Sequence, residues 1–317
     1  MFCLMKLYKP KFWDKKKNFF SILLFPISLI YLCIIKLRKI LISKKQFKIP
    51  IICVGNIYVG GTGKTPTAIY IAKQLLEDGL NPVIIRKYYN KHQDEYELIK
   101  NYFKNLILNK NRSSAIMEAE NSVYDLAVLD DGFQDYNIKK DLNIVCFNSN
   151  QLIGNGFVIP SGPLRENLSV LKDAHLILIN GEKNPIFEEK ILKINKNLKI
   201  FYSYYKPVNL EEFRNHKLLA IAGIGNPENF FQILEKNNLK IFDKIVFPDH
   251  HIFSEKEIEN IINTAKKDNL KLIMTEKDYH KIKSFRFDNL SFLKISLEIK
   301  DKQNFLDTIK KKYEKKN

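Results

Sequence analysis

The sequence predicts an α/β protein: a doubly wound, mostly parallel sheet carrying a phosphate loop, a second and smaller α/β domain, and an N-terminal membrane-associating helix. Three observations carry that reading. The apolar run Ile49-Pro-Ile-Ile-Cys-Val54 leads into the glycine-rich Tyr58-Val-Gly-Gly-Thr-Gly-Lys-Thr65. Ala68, Ile69, Ile71, Ala72, Leu75 and Leu76 then recur at helical spacing. Downstream, short apolar runs alternate with helical stretches. Upstream, an uncharged segment at 19–35 lies between Lys15-Lys16-Lys17 and the cations Lys36, Arg38 and Lys39.

A helix over 19–35 would measure about 25 Å, short of the roughly 30 Å hydrocarbon core. Pro26 is expected to kink it. Positive charge flanks both ends, without the asymmetry of a clean span, and no small-residue cleavage site follows. The expectation is a helix lying in or dipping into the cytoplasmic leaflet of a membrane, held by its apolar surface and basic flanks. A single span and a buried core helix are the alternatives.

The 317 residues suffice for one large α/β domain plus a smaller one. Hydrophobic residues at 45% and charged residues at 27% exclude a disordered chain. The 52 Lys+Arg outnumber the 35 Asp+Glu, giving a formal net charge of +17. Such an excess favours polyanionic partners: nucleic acid, an anionic membrane surface or a phosphorylated substrate. Part of it reflects a composition rich in Lys, Asn and Ile throughout. Cys3, Cys33, Cys53 and Cys146 show neither paired nor metal-ligand spacing, so reduced thiols in a cytoplasmic setting are expected.

The apolar runs at 82–85, 126–129, 142–147 and 176–179 read as buried parallel strands, with the phosphate loop at the end of the first strand. A weakly patterned stretch at 203–215 precedes a new βα unit: 217–221, then Gly223-Ile-Gly-Asn-Pro227, then a helix through Leu234. Strand-like runs at 241–247 and 270–275 flank a helix beginning near Ser254, with Glu257 completing a capping box. These features divide the chain into 1–45, an N-terminal helix region; 46–209, the phosphate-loop domain; and 210–317, a smaller C-terminal α/β domain. The tail at 310–317 reads as a basic helix end or a frayed terminus.

A strand, a glycine-rich turn and a Lys-Thr pair opening a helix cradle nucleotide phosphates with inward-pointing N–H groups and the helix dipole. Tyr58, Val59, Gly60, Gly61, Thr62, Gly63, Lys64 and Thr65 are therefore the candidate nucleotide-binding residues, with Tyr58 standing where the strict pattern has Gly. Lys64 is placed to reach the β- and γ-phosphates, and the Thr65 hydroxyl to ligate Mg²⁺. A second anchor is the apolar strand ending in Asp130-Asp131-Gly-Phe-Gln134, whose acids suit Mg²⁺ held directly or through water. If the strand continued, the two acids would point to opposite faces and one would lead. An Asp-Asp-Gly turn closing a strand is the plainer alternative.

Ile159-Pro-Ser-Gly-Pro-Leu-Arg165-Glu166 presents a cation beside an acid on a rigid loop. Arg165 suits a transferring phosphoryl group, with Glu166 orienting it or a metal-bound water; a surface turn with an ion pair would look the same. Arg112 is a weaker candidate phosphate clamp. Asp249-His250-His251 lacks further ligands at zinc spacing but offers acid–base equipment. Asp94-Glu95, alone, reads as solvated charge. Thr275-Glu-Lys-Asp278 either lines a cleft or caps the next helix.

Taken in order, Val54-Gly-Asn-Ile-Tyr-Val-Gly-Gly-Thr-Gly-Lys-Thr-Pro66, Asp130-Asp-Gly-Phe-Gln134, Gly162-Pro-Leu-Arg-Glu166, Gly223-Ile-Gly-Asn-Pro227, Phe247-Pro-Asp-His-His251 and Thr275-Glu-Lys-Asp278 resemble the tetraacyldisaccharide 4′-kinase family, the lipid A kinases of Gram-negative bacteria. The resemblance covers most of the chain. It implies ATP- and Mg²⁺-dependent phosphorylation of the 4′-hydroxyl of an acylated glucosamine disaccharide 1-phosphate, giving lipid IVA, at the cytoplasmic face of the inner membrane. It also implies two α/β domains with the active site in the cleft between them. Carried over residue by residue, it places Lys64 on the phosphates, Thr65 with Asp130 and Asp131 around Mg²⁺, and Arg165 and Glu166 at the γ-phosphate end, Glu166 joining the metal set. The family's Gly-Asp-Glu-Pro motif falls on Gln93-Asp94-Glu95-Tyr96, which makes Asp94 the candidate base or orienter, assisted by His250. Two departures touch the substrate rim: Ile85-Arg86-Lys-Tyr-Tyr89 replaces Ser-Arg-Gly-Tyr-Gly, and Asp135 stands where the family has His.

A membrane-associated phosphate-loop GTPase or ATPase switch is the main rival, but no Asn-Lys-x-Asp guanine motif is present. A nucleic-acid-binding ATPase is suggested by charge alone and lacks an aromatic-basic module, so nucleic acid is not an expected partner. The expected state is a monomer.

Overall fold

Five of the apolar runs become parallel strands because residues buried on both faces satisfy their backbone only through neighbouring strands. The computed structural model describes residues 10–15, 18–90, 92–249, 251–287 and 290–313, with the Asp94 side chain also left undescribed. In chain order the elements are α1 (Phe19–Leu41), β1 (Ile51–Gly55), α2 (Lys64–Glu77), β2 (Pro82–Lys87), α3 (Gln93–Tyr102), β3 (Leu106–Asn109), α4 (Arg112–Glu120), β4 (Leu126–Asp130), β5 (Leu142–Asn148), β6 (Leu176–Asn180), α5 (Pro185–Leu192), β7 (Lys199–Pro207), β8 (Lys217–Ala222), α6 (Pro227–Lys236), β9 (Lys240–Val246), α7 (Glu255–Lys267), β10 (Lys271–Thr275), α8 (Glu276–Ile282), β11 (Phe292–Leu293), β12 (Ile295–Ile299) and α9 (Lys302–Tyr313).

Eight strands form one sheet in the order β12-β7-β6-β5-β1-β4-β2-β3. β1 lies near its middle and pairs in parallel with β4 and β5; Ile51, Ile52, Cys53 and Val54 are all buried. Ile49, Ile57, Ala115, Leu129, Val145, Leu164 and Ile177 belong to the apolar core beside it. Four further strands, ordered β11-β10-β8-β9 and all parallel, form a second sheet. Its two apolar clusters include Phe230, Phe231 and Leu234 of α6, and Ile258, Ile261 and Ile262 of α7. Ser254 caps α7 as the sequence predicts, accepting the Glu257 N–H at 3.2 Å, while the Glu257 carboxylate expected to complete a capping box pairs with His251.

The chain separates into two compact units, and their composition differs from the expected boundaries at 45 and 209. Residues 89–102 and 205–296 form the smaller unit; the other described residues form the larger. Two segments account for the difference. α3 sits between β2 and β3 in sequence but packs on α8: Tyr102 Oη donates to Glu276 Oε2 at 2.6 Å, and Lys283 Nζ pairs with Glu97 at 3.0 Å. At the other end, residues 297–313 belong to the larger unit, where Phe305 of α9 meets Phe201 of β7 edge-on at 5.2 Å. The stretch at 203–215, read as weakly patterned, contains the second half of β7, whose alternating burial is that of a strand nearer the sheet edge.

α1 is continuous from Phe19 to Leu41 with Pro26 inside it, longer than the expected 19–35 because Lys36 to Leu41 extend the helix. By length and composition it is sufficient to cross a membrane. A buried core helix is excluded, since most of its large apolar side chains are exposed, Phe19, Ile22, Leu37 and Ile40 among them.

Candidate active site

Parallel strands deliver their carboxyl ends to one edge of the sheet, and there β1, β4 and β2 assemble a phosphate site. β1 ends at Gly55, where any Cβ would collide with Phe133. Gly63 adopts φ 90° and caps α2, a conformation that glycine enters without strain. The loop is held from below by buried Asn56, whose Nδ2 donates to Thr62 Oγ1 at 2.9 Å and Gly60 O at 3.3 Å. Gln134 Nε2 in turn donates to Asn56 O at 2.7 Å. Tyr58, an expected nucleotide contact, has its side chain fully buried in the core. Its backbone bridges to Leu164, flanked by Val59 N–H on Pro163 O at 2.8 Å and Arg165 N–H on Ile57 O at 2.7 Å. A large residue is tolerated there because its side chain packs behind the loop, away from the phosphate face.

At the end of β4, Asp130 accepts the Thr65 hydroxyl at 2.9 Å and pairs with Arg86, which also donates to Thr65 Oγ1 at 3.0 Å. Asp131 takes φ 55°. The strand therefore ends, its alternation no longer applies, and Asp131 joins the same cluster: Arg165 Nη1 donates to Asp131 Oδ1 at 2.9 Å, and Lys64 Nζ stands 3.8 Å from it. Burial would raise the Asp131 pKa, but Lys64, then Arg165, Arg86 and Arg112, outweigh it and hold the carboxyl well below its ordinary range. Burial lowers the Lys64 pKa, with Asp131 opposing that fall. An anionic phosphate brought to Lys64 would reinforce the ammonium form.

Arg112 is not a phosphate clamp. It is buried, its Nη2 donates to Asp130 O and Asp131 O, both at 2.8 Å, and its Nη1 pairs with Asp135. With those donors consumed, it braces the backbone of the acidic pair. Asp135 thereby acquires a role where the family has His. Arg86 and Asn56 received no role from sequence, although Arg86 stands in register with Asp130 across β2 and β4.

The four residues expected around Mg²⁺ do not all converge. Thr65 and Asp130 meet directly, and Asp131 is held by Lys64 and Arg165; buried Glu166 instead faces Lys39 of α1, 2.6 Å away. Thr65 and Asp130 suit Mg²⁺. Asp130 Oδ1 is buried without a hydrogen-bond partner among the described residues, and a hard cation of this kind takes one or two carboxylates plus substrate phosphates and water. No cluster of three His, Cys, Asp or Glu at metal-holding geometry occurs among the described residues.

Asp94, Asp249 and His251 belong to the smaller unit. Asp94 lies in the first turn of α3, and His250 falls outside the described residues. Their sequence neighbours are tied together: Lys277 Nζ is 3.2 Å from both Glu95 Oε1 and Asp249 Oδ1. His251 is structural, stacked on Phe247 with ring centroids 4.6 Å apart and 2.8 Å from Glu257 Oε2. In the Thr275-Glu-Lys-Asp motif Thr275 caps α8, its Oγ1 accepting the Asp278 N–H at 3.2 Å, and the motif is completed by the Asp278 carboxylate. It is buried and accepts Gly223 N–H at 2.7 Å and the Thr275 hydroxyl at 2.7 Å, with Lys281 on its other oxygen.

A doubly wound parallel sheet with a glycine loop, Lys64 and Thr65 at a helix start, and a carboxylate on the adjoining strand defines a phosphate-loop protein that handles nucleotide phosphates. Within that class, the family model described as tetraacyldisaccharide-1-P 4′-kinase (LpxK) matches residues 20–314. The chain belongs to that family, as the sequence resemblance implied. It is 42% identical over 320 residues to a tetraacyldisaccharide 4′-kinase of Pelagibacter ubique (strain HTCC1062), covering 98% of this chain and all of that one. It is 34% identical to one of Francisella tularensis subsp. novicida (strain U112), covering 91% and 98%. The fold is similar to that of LpxK from Aquifex aeolicus, solved in complex with ATP, with a TM-score of 0.70, 22% identity, and 92% and 99% of the two chains covered.

Proposed function

We propose that this protein is a lipid kinase that transfers the γ-phosphate of ATP to the 4′-hydroxyl of a tetraacylated glucosamine disaccharide 1-phosphate, giving lipid IVA, at the cytoplasmic face of the inner membrane. The observation that carries the reading is the Lys64–Asp131–Arg165 cluster, set on the phosphate loop beside Thr65 and Asp130 in a chain of this family. Phosphoryl transfer asks mainly for positioning and charge stabilisation, which this set of cations and acids supplies. The loop N–H groups and the start of α2 bind the phosphates, Lys64 neutralises the β- and γ-oxygens, and Arg165 stabilises charge on the phosphoryl group in flight. Thr65 and Asp130 would hold Mg²⁺, with Asp131 beside them; the ion, when bound, shields the phosphate charge. Asp94 accepts the proton of the 4′-hydroxyl or orients that group, and His250 assists. The exposed apolar face of α1 and the formal charge of +17 support a site of action on an anionic leaflet, and a monomer suffices for this chemistry.

The test is direct. Purified protein is incubated with ATP, Mg²⁺ and the tetraacylated disaccharide 1-phosphate in detergent, and 4′-phosphorylated lipid is the expected product. ATP hydrolysis that is brisk without the lipid, and no 4′-phosphorylated product with it, would sink the kinase reading.

A further inference from the structure

α1 presents most of its large apolar side chains to the outside and turns two serines inward. Phe19, Ile22, Leu23, Ile30, Ile34 and Leu37 are each 60% or more exposed, whereas Ser21 and Ser28 are 0% and 1% exposed. The two serines are two helical turns apart, and Tyr31, Leu32 and Lys39 continue the same half-buried stripe. What that stripe covers is the loop that ends in Arg165 and Glu166.

The contacts span the loop. Ser28 Oγ donates to Val158 O at 2.8 Å, shares a hydrogen bond with the Ser161 hydroxyl at 2.8 Å, and accepts Ser161 N–H at 3.1 Å. Asn155 Nδ2 donates to Ser21 Oγ at 3.0 Å and to Ser161 O at 2.9 Å. Phe25 meets Phe157 edge-on at 5.6 Å. Lys39 Nζ reaches Glu166 Oε2 at 2.6 Å and lies over the Tyr136 ring at 4.1 Å. On its far side the same loop is bonded to the phosphate loop through Pro163 O and Arg165 N–H, and Arg165 ends on Asp131. The loop is thus fixed between α1 and the nucleotide site. Its buried polar groups would be left unpaired without the helix, and unpaired buried groups force rearrangement.

We propose that α1 is a positioning element for phosphoryl transfer: Ser21, Ser28 and Lys39 fasten the 155–166 loop and so fix Arg165 against Asp131. The helix thereby has a second task besides meeting lipid, and its inward polar stripe is what performs it. This inference rests on the kinase reading of Arg165.

The test uses the full chain with the lipid acceptor in mixed micelles. Ser21→Ala/Ser28→Ala and Lys39→Met should each lower kcat about 10- to 100-fold, as loss of alignment does, with KM for ATP within about twofold of the wild type. Lys39→Arg should restore most of the rate. A kcat within twofold of the wild type in both variants would overturn the proposal, and so would a parallel loss of ATP binding in titrations without lipid. Should the serine variant fold poorly, Ser28→Cys/Ser161→Cys in a Cys33→Ser background replaces the contact by a bond. The oxidised form should keep near wild-type kcat and the reduced form should lose it, whereas equal, undiminished rates would count against the proposal. An inactive wild type strikes instead at the kinase reading, so the two failures are distinguishable.

Discussion

Arg86 and Asp130 are register partners on adjacent parallel strands, and their side chains meet in a buried ion pair that also grips the Thr65 hydroxyl. The strand pairing thus sets the orientation of a carboxylate and a hydroxyl suited to Mg²⁺, with Arg86 acting through them. Groups that orient metal ligands in this way typically contribute 10- to 100-fold to metal affinity or activity.

Arg86→Ala is accordingly expected to raise the Mg²⁺ concentration for half-maximal turnover about 10- to 100-fold. A magnesium titration at saturating ATP measures this; an unchanged midpoint would show that Thr65 and Asp130 need no such support.

Asn56 carries the phosphate loop on its amide and is carried in turn by Gln134. Asn56→Ala should weaken ATP binding about 5- to 30-fold, the loss of one or two buried hydrogen bonds worth about 1–2 kcal/mol. Equilibrium titration with ATP reads the effect, and kcat at saturating ATP should change less than affinity does.

Asp94→Ala should lower turnover while leaving ATP affinity nearly unaltered, because the residue is proposed to serve the acceptor hydroxyl. Weakened ATP binding with normal turnover would remove Asp94 from the chemistry.

Lys277 ties Glu95 to Asp249, the sequence neighbours of Asp94 and His250. Lys277→Met is expected to reduce kcat about 10- to 100-fold through misalignment, with KM for ATP little changed and partial recovery in Lys277→Arg. Full activity in Lys277→Met would make the contact a stabilising one only.

His175 gives a pH prediction. Burial, reinforced by Lys312, lowers its pKa from the ordinary 6.5, and its Nδ1 accepts the Asn143 N–H at 3.0 Å, a bond the ring gives up if that nitrogen is protonated. The unfolded chain therefore binds the proton more readily. The contribution of His175 to stability is complete above pH about 6.5 and is lost as pH falls from there toward the folded value. Melting temperatures at pH 7.5 and 5.5 should fall more for the wild type than for His175→Gln; equal falls would exclude His175 as the cause.

The parts legible in the sequence are those whose chemistry is contiguous. Lys64 and Thr65 follow the glycines that shape their own loop, and Asp130 closes its own apolar strand, so local spacing suffices to find them. Arg86, Lys39 and Lys277 act on residues 44, 127 and 182 positions away respectively, if Glu95 is taken as the partner of Lys277. No periodicity of a single segment records such pairs. The expectation for Arg112 failed for the same reason: a buried guanidinium looks alike in sequence whether it meets phosphate or carbonyl oxygens.

By itself, the sequence determined the class of fold, the phosphate loop, the acids beside it and the family, because alternation, glycine placement and motif order are local properties of the chain. Tertiary structure decided which charges meet. Strand register joined Arg86 to Asp130, a left-handed residue turned Asp131 toward Lys64 and Arg165, and packing sent α3 to the smaller unit and the C-terminal segment to the larger. It also turned the serines of a largely apolar helix inward onto the Arg165 loop. Such choices depend on burial and on the pairing of polar groups far apart in the chain, and those are settled only when the whole core forms.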